Sequence, residues 1–378
     1  MTTPLFLGGV NPAADVELRP PSLKGLMRFW FRAVALPGKG RWEDVKVMEN
    51  RLFGSTEGQA QFLLSVVDRR DLNQVTAGQN WKNYQGLGYL GYGVVDRGET
   101  KRPYFEPGGK ITLRLSIKKN ISQEITTCLS TALKALGLFG AAGARARKGF
   151  GSLSLESLRV DGEEKWSVPR NMGELRDRIR ELLKEINLTD VCPSEPGYTA
   201  FSTQAKVSIV KTGKDPIHLL DEIGRELLRY RSYGCRDRNR GVHVLPWREK
   251  AEQNFADDHD LILHLLSGRL SQPQSHPRRV VFGLPHNYFF LSTRQKASVD
   301  ARNYKRRASP LFIHIHALAS GEYAAILTLL PAVFLPEGER IKMSGGGKYA
   351  EVDCRVNYRD IENFFNRSAF KNGMVVWP

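Results

Sequence analysis

Glycine occupies five of the fifteen positions from 137 to 151, in the run Gly137-Leu138-Phe139-Gly140-Ala141-Ala142-Gly143-Ala144-Arg145-Ala146-Arg147-Lys148-Gly149-Phe150-Gly151. A regular element does not run through such a stretch, because each interior glycine costs roughly 0.5–1 kcal/mol relative to alanine. The chain must turn here. Apolar spacing predicts a helix over 123–138 on one side, and alternation predicts a strand over 151–158 on the other. With so few side chains, backbone N–H groups come close to a phosphate, and Arg145, Arg147 and Lys148 add charge. No Asp or Glu lies between Ile125 and Leu155.

Upstream, Pro20 and Pro21 precede Ser22, the expected cap of a helix in which Leu23, Leu26, Met27, Trp30 and Val34 recur at the 3.6-residue period. Its opposite stripe is Lys24, Arg28 and Arg32. Like charges at i, i+4 each cost a helix about 0.2–0.5 kcal/mol. With no acid between Leu18 and Trp42, an outside anion would relieve them. Strands are expected over 61–67 and 110–117, and an apolar start at 5–7 ends a further one. The order strand, helix, strand, strand, helix, strand is that of a ferredoxin-like unit. A second lobe repeats it loosely, with strands at 205–210, 280–284, 288–291, 311–317 and 324–334 and helices at 217–231 and 359–365. The expected fold class is α+β, two tandem ferredoxin-like (RRM-like, βαββαβ) domains.

The 378 residues carry 56 Lys and Arg against 40 Asp and Glu, a formal charge of +16. About +10 falls on 1–160, about −3 on 161–200 and about +9 on 201–378. The acidic connector reads as a loop over 160–171, then a helix carrying Leu175, Ile179, Leu182, Leu183 and Ile186, stopped by Pro193 and Pro196. The expected domains are therefore 1–160, 161–200 and 201–378.

Several classes are excluded. The longest apolar run, 324–335, contains Pro331 and is too short for a bilayer, and the start lacks a signal peptide, so a cytoplasmic protein without a membrane partner is expected. Cys128, Cys192, Cys235 and Cys354 form no CxxC pair, which argues for buried thiols rather than a zinc site or disulfides. The Asn-x-Ser/Thr triplets at Asn120, Asn187 and Asn366 matter only in a secreted chain. Gly86-Leu87-Gly88-Tyr89-Leu90-Gly91 matches GxGxxG, yet no strand precedes it and no helix follows, so it reads as a flexible loop. P-loop, HExxH and GxSxG motifs are absent. His314 and His316 alternate along one strand and read as a half-exposed face rather than ligands; Asp257-Asp258-His259-Asp260 reads as a solvated turn. No cofactor or metal is expected.

Two further basic clusters carry aromatics: Arg229, Tyr230, Arg231, Tyr233, Arg236, Arg238, Arg240 and Trp247; and Arg294, Lys296, Arg302, Tyr304, Lys305, Arg306 and Arg307. Arginine's planar fork suits phosphate contacts and base stacking. Lys148-Gly149-Phe150-Gly151 matches the start of the RNP1 pattern, but Ser152 and Leu153 break it, which argues against stacking there. Ser344-Gly345-Gly346-Gly347-Lys348 is a weak candidate for a second glycine loop. Nucleic acid explains this pattern best.

Thr3-Pro4-Leu5-Phe6-Leu7-Gly8-Gly9, followed by Glu17-Leu18-Arg19-Pro20-Pro21-Ser22-Leu23-Lys24-Gly25-Leu26-Met27-Arg28-Phe29-Trp30-Phe31-Arg32-Ala33, resembles the signature of the Cmr subunit one family. That family belongs to the RAMP superfamily of CRISPR type III-B effectors, and residues 137–151 resemble the superfamily's glycine-rich loop. The resemblance covers the first lobe. It implies two RRM-like domains, no catalytic site, and contact with the 3′ region of the CRISPR RNA and with target single-stranded RNA beside the sixth Cmr subunit. By position, Ser22, Lys24, Arg28, Trp30, Arg32, Arg145, Arg147 and Lys148 become RNA-contact candidates; the second-lobe clusters add Arg236, Arg238 and Arg306. Family members carry a full strand before the Thr-Pro, so a truncated or very short first strand is expected. Alone, the chain is expected to be a monomer. The alternatives are a metal-independent RAMP endoribonuclease that processes CRISPR RNA through a His or Tyr, and a generic basic RNA-associated protein.

Overall fold

The computed structural model describes residues 1–189 and 199–377. Cys192, Pro193 and Pro196 lie outside the described residues. Helix α1 (Pro20–Lys39) opens at Arg19, with Pro20 and Pro21 in the first two positions, where a missing N–H costs nothing. Ser22 therefore sits inside the first turn and is not the cap. Helix α2 (Trp42–Phe53), which the sequence reading lacks, folds back against α1. Strand β1 (Phe62–Arg70) pairs antiparallel with β2 (Lys110–Ile117), and α3 (Gln85–Leu90) and α4 (Gln123–Phe139) complete the lobe.

The expected strand over 151–158 is not formed. Ser157–Val160 (β3) pairs instead with Glu163–Ser167 (β4), inside the stretch read as loop. Short contacts replace the regular ladder. The Thr2 N–H donates to the Ser152 carbonyl (3.0 Å), the Gly151 N–H donates to Pro4 (2.9 Å), and Leu5 and Phe105 exchange two bonds of 3.0 Å.

Helix α5 (Met172–Ile186) is capped by Asn171, whose side chain accepts from the Glu174 N–H (3.0 Å). It ends on Asn187 in the left-handed conformation, φ 56°, and so stops ahead of the prolines. Leu175, Ile179, Leu182, Leu183 and Ile186 are buried in a core built from both lobes, with Trp30, Phe139, Phe201, Val207 and Phe312.

In the second lobe, β5 (Lys206–Gly213) leads into α6 (Pro216–Arg231) and α7 (Ala256–Ser267). There follow β6 (His286–Phe290), β7 (Gln295–Ala301), β8 (Leu311–Ala317), β9 (Tyr323–Leu329), β10 (Arg340–Gly345), β11 (Lys348–Asp353), α8 (Arg359–Phe365) and β12 (Met374–Trp377). One antiparallel sheet has the order β8-β9-β5-β12, and a second has β6-β7-β10-β11, with α7 against it. The architecture is mixed α+β with small antiparallel sheets.

Four local expectations are corrected. Residues 280–284 do not form a strand; Arg278–Phe282 is a 3-10 turn. Asp257 and Asp258 start α7, and the Asp258 carboxylate accepts from the backbone N–H groups of Arg278 (2.6 Å) and Arg279 (2.8 Å). Residues 344–348 make the β10–β11 hairpin turn, with Gly346 and Gly347 at φ 53° and 75°. The GxGxxG stretch is helical, because Gly86 must pack against α6: a Cβ there would stand 1.9 Å from the Asp221 carbonyl oxygen.

The end of the glycine loop runs along the outer edge of β8. Ile313 N–H donates to the Arg147 carbonyl (3.2 Å), Ile315 N–H to Ser152 Oγ (3.2 Å) and Ala317 N–H to Ser154 Oγ (2.8 Å). The lobes are thereby joined edge to edge. His314 and His316 lie in this seam, buried rather than half-exposed, with His314 Nδ1 2.9 Å from the Gly140 carbonyl oxygen.

Candidate nucleic-acid interface

The basic residues singled out in the sequence fall into three places. The stripe of α1 faces α2 and the start of β1. Lys24 lies over the Phe62 ring at 5.3 Å, and burial with the neighbouring Arg28 lowers its pKa. Arg28 donates to the Gly54 carbonyl and reaches Glu49 at 3.5 Å; Arg32 reaches the same carboxylate at 3.2 Å. The relief expected from an outside anion is thus partly supplied from within, by an acid on α2. About a third of each guanidinium side chain stays exposed. Trp30 is 2% exposed, against Phe29, Phe139, Phe201 and Phe312, and offers no face to a base.

The second place is the glycine loop. Arg145, itself at φ 62°, donates to the Tyr92 carbonyl and lies 5.9 Å from that ring. Arg147 stacks over Phe312 at 4.6 Å and Phe29 at 5.4 Å, and donates to the Ser309 carbonyl. Burial, with Arg307 nearby, lowers its pKa to about 10. Lys148 Nζ is out of solvent with no hydrogen-bond partner, and burial beside Arg231, Arg145 and Arg147 pushes its pKa down to about 7. Arg306 also acts on Arg145 electrostatically, so the exposed 302–306 segment of the second lobe comes near the loop of the first. Phe150 is fully buried against Phe6 and Trp81.

Arg236 and Arg238 occupy a third place, exposed on a two-residue-stranded hairpin that begins at Cys235. Other members of the two sequence clusters are neutralised: Arg229 is held by Glu226 and by Glu249 (2.7 Å), and Arg302 by Glu351 (3.2 Å). Arg231 and Arg307, in the wider clusters but not among the contact candidates, stand at the loop. Only the fold brings them there. Among the described residues no salt bridge joins Arg145, Arg147, Lys148, Arg231, Arg306 or Arg307 to a carboxylate, and no group of three His, Cys, Asp or Glu would hold a metal ion.

The first lobe, glycine loop included, is similar to the RAMP superfamily, whose family model matches residues 1–154. Two curated proteins similar to the chain are Cmr1 subunits. Cmr1-1 of Pyrococcus furiosus is 26% identical over 328 residues, covering 85% of this chain and 82% of the relative; Cmr1-2 of the same organism is 29% identical over 176 residues, covering 42% and 92%. The crystal structure of apo Cmr1 from Pyrococcus furiosus superposes with a TM-score of 0.50 at 20% identity, covering 99% of this chain and 96% of that one. A chain in the cryo-EM structure of type III-B Cmr-beta bound to cognate target RNA gives 0.51 at 12% identity, covering 96% of each. These two likenesses show the fold. Among the described residues no helix is long and apolar enough to cross a membrane.

Proposed function

We propose that the chain is a non-catalytic RNA-binding subunit of a type III-B Cmr effector, contacting the 3′ region of the CRISPR RNA and the target single-stranded RNA. The observation that carries this reading is the convergence of Arg145, Arg147 and Lys148 with Arg231, Arg306 and Arg307, none of them paired with a carboxylate among the described residues. Arginines without a carboxylate partner at such a loop suit a polyanion. The relatives' names and the RNA-bound assembly of the structural neighbour support it. Its partners in this reading are other Cmr subunits, notably the sixth, in the cytoplasm; alone it is a monomer.

The same reading treats 1–160 and 201–378 as tandem ferredoxin-like units, with 161–200 between them. The sheet β8-β9-β5-β12 has the order 2-3-1-4 of a βαββαβ chain, and in the first lobe 149–153, 1–5, 104–117 and β1 lie side by side in the matching order. The endoribonuclease alternative loses its strand histidines, since His314 and His316 are buried in the seam.

Fluorescence anisotropy with labelled single-stranded RNA across a salt series tests the proposal, each endpoint run on a denaturing gel. The expected result is salt-sensitive binding of intact RNA, with a slope of about −0.7 per phosphate neutralised. Arg306→Glu should weaken it, and copurification with Cmr subunits should follow. Unchanged affinity in that variant removes the interface, and cleaved RNA puts the endoribonuclease first.

A further inference from the structure

We propose that Lys148, Arg231 and His286 form a distinct phosphate-binding pocket at the lobe seam, built to take one phosphate group in a fixed position. Its natural ligand, an RNA backbone phosphate, rests on the RNA-binding reading above; the pocket itself does not. Three elements supply it: the glycine loop, the end of α6 and the start of β6.

The argument starts from groups that lack what their chemistry requires. Lys148 Nζ and Arg231 Nε are both out of solvent and find no hydrogen-bond partner. A buried cation without an anionic partner costs several kcal/mol, so a fold keeps two near each other only where something else compensates them. Arg231 Nη2 stands 3.4 Å from His286 Nδ1, and the guanidinium is held flat between Phe282 (4.5 Å) and Tyr89 (5.9 Å). That fixes its fork, the geometry phosphate recognition uses. The backbone that carries Lys148 is fixed too, because Gly149, at φ 86°, packs so closely on Leu220 that a Cβ would stand 2.5 Å from its side chain.

The nearby acid is already engaged. Asp258 accepts from the backbone N–H groups of Arg278 and Arg279 and pairs with Arg279 Nε at 3.3 Å. The other charged or titratable groups around the cluster are Arg145, Arg147 and Arg279, all cationic, with Tyr89 and Tyr288. Burial and this company hold Lys148 near 7 and His286 well below the ordinary imidazole value. An anion reverses the balance at Lys148. Binding of a backbone phosphodiester or of sulfate, neither of which titrates in this range, therefore draws a proton onto the pocket and strengthens as pH falls from 8 to 6.

The test uses the full chain with inorganic phosphate and, for the proton count, sulfate, whose own charge is constant over this range, each titrated at constant ionic strength against chloride. Calorimetry is run in two buffers of different ionisation enthalpy, with the thermal midpoint followed alongside. Wild type should be stabilised and take up protons. Lys148→Met, which keeps the reach and removes the charge, should weaken apparent affinity about tenfold and abolish the proton uptake. His286→Gln should weaken binding independently. Absence of phosphate stabilisation in wild type, or equal binding by wild type and both variants, overturns the pocket. Phosphate binding that requires Lys148 in a protein that binds no RNA leaves the pocket standing and sinks the RNA reading; RNA binding with no phosphate site does the reverse.

Discussion

Trp30 and Glu49 show how much a single side chain's partners matter. Trp30→Ala should cost about 3–5 kcal/mol in urea unfolding, as a fully packed aromatic does, because its indole fills the core that both lobes share. Its inward place was legible in the period Leu23, Met27, Trp30, Val34; only the resemblance made it a contact candidate. Glu49 was missed because no helix was read over 42–53, although Trp42, Val45, Met48 and Leu52 recur there at helical spacing. Removing its charge with Glu49→Gln frees Arg28 and Arg32, and the salt dependence of RNA binding should steepen by about one phosphate's worth in the anisotropy series. An unchanged slope would mean that RNA does not reach this stripe.

At the scale of elements, the sequence spoke clearly wherever a strand or helix buries one face. The expected bounds of β2 and α8 match the structure for that reason, and those of β8 match although six of its seven residues are buried, because its length and its flanking Pro310 bound it. The apolar run at 280–282 misled for the opposite reason: Val280, Val281 and Phe282 are all buried, so nothing distinguished a strand from a turn. The hairpin β10–β11 was hidden by a glycine run that looked like a ligand loop. Two substitutions probe elements that are held by specific devices. Asp215→Ala removes the carboxylate that accepts from the N–H groups of Ile217 (2.7 Å) and His218 (3.1 Å), and should lower stability by about 1 kcal/mol in the same unfolding assay. Gly86→Ala should do worse, because its Cβ collides with backbone rather than with a side chain that can move; loss of a cooperative thermal transition or a marked drop in its midpoint is the expected outcome.

For the whole molecule, the seam decides both its pH response and its unity. Burial lowers the pKa of His316 to about 4 and that of His314 well below the usual imidazole value. Unfolded, both titrate near 6.5. Each therefore contributes stability that is complete above about 6.5 and lost as pH falls, on the order of 3 kcal/mol from His316 by pH 4. Urea midpoints measured from pH 8 to pH 4 should fall over that window, and less steeply in His316→Gln. The β8 pairing with residues 147–154 also means that neither half finishes its own sheet. Made separately, 1–189 and 199–377 would each display a bare ribbon of N–H and C=O groups, the template on which foreign strands stick. Size-exclusion chromatography should find each fragment self-associated and the mixture restored to a single 1:1 species. The loop that presents cations on one side thus guards the chain against itself on the other.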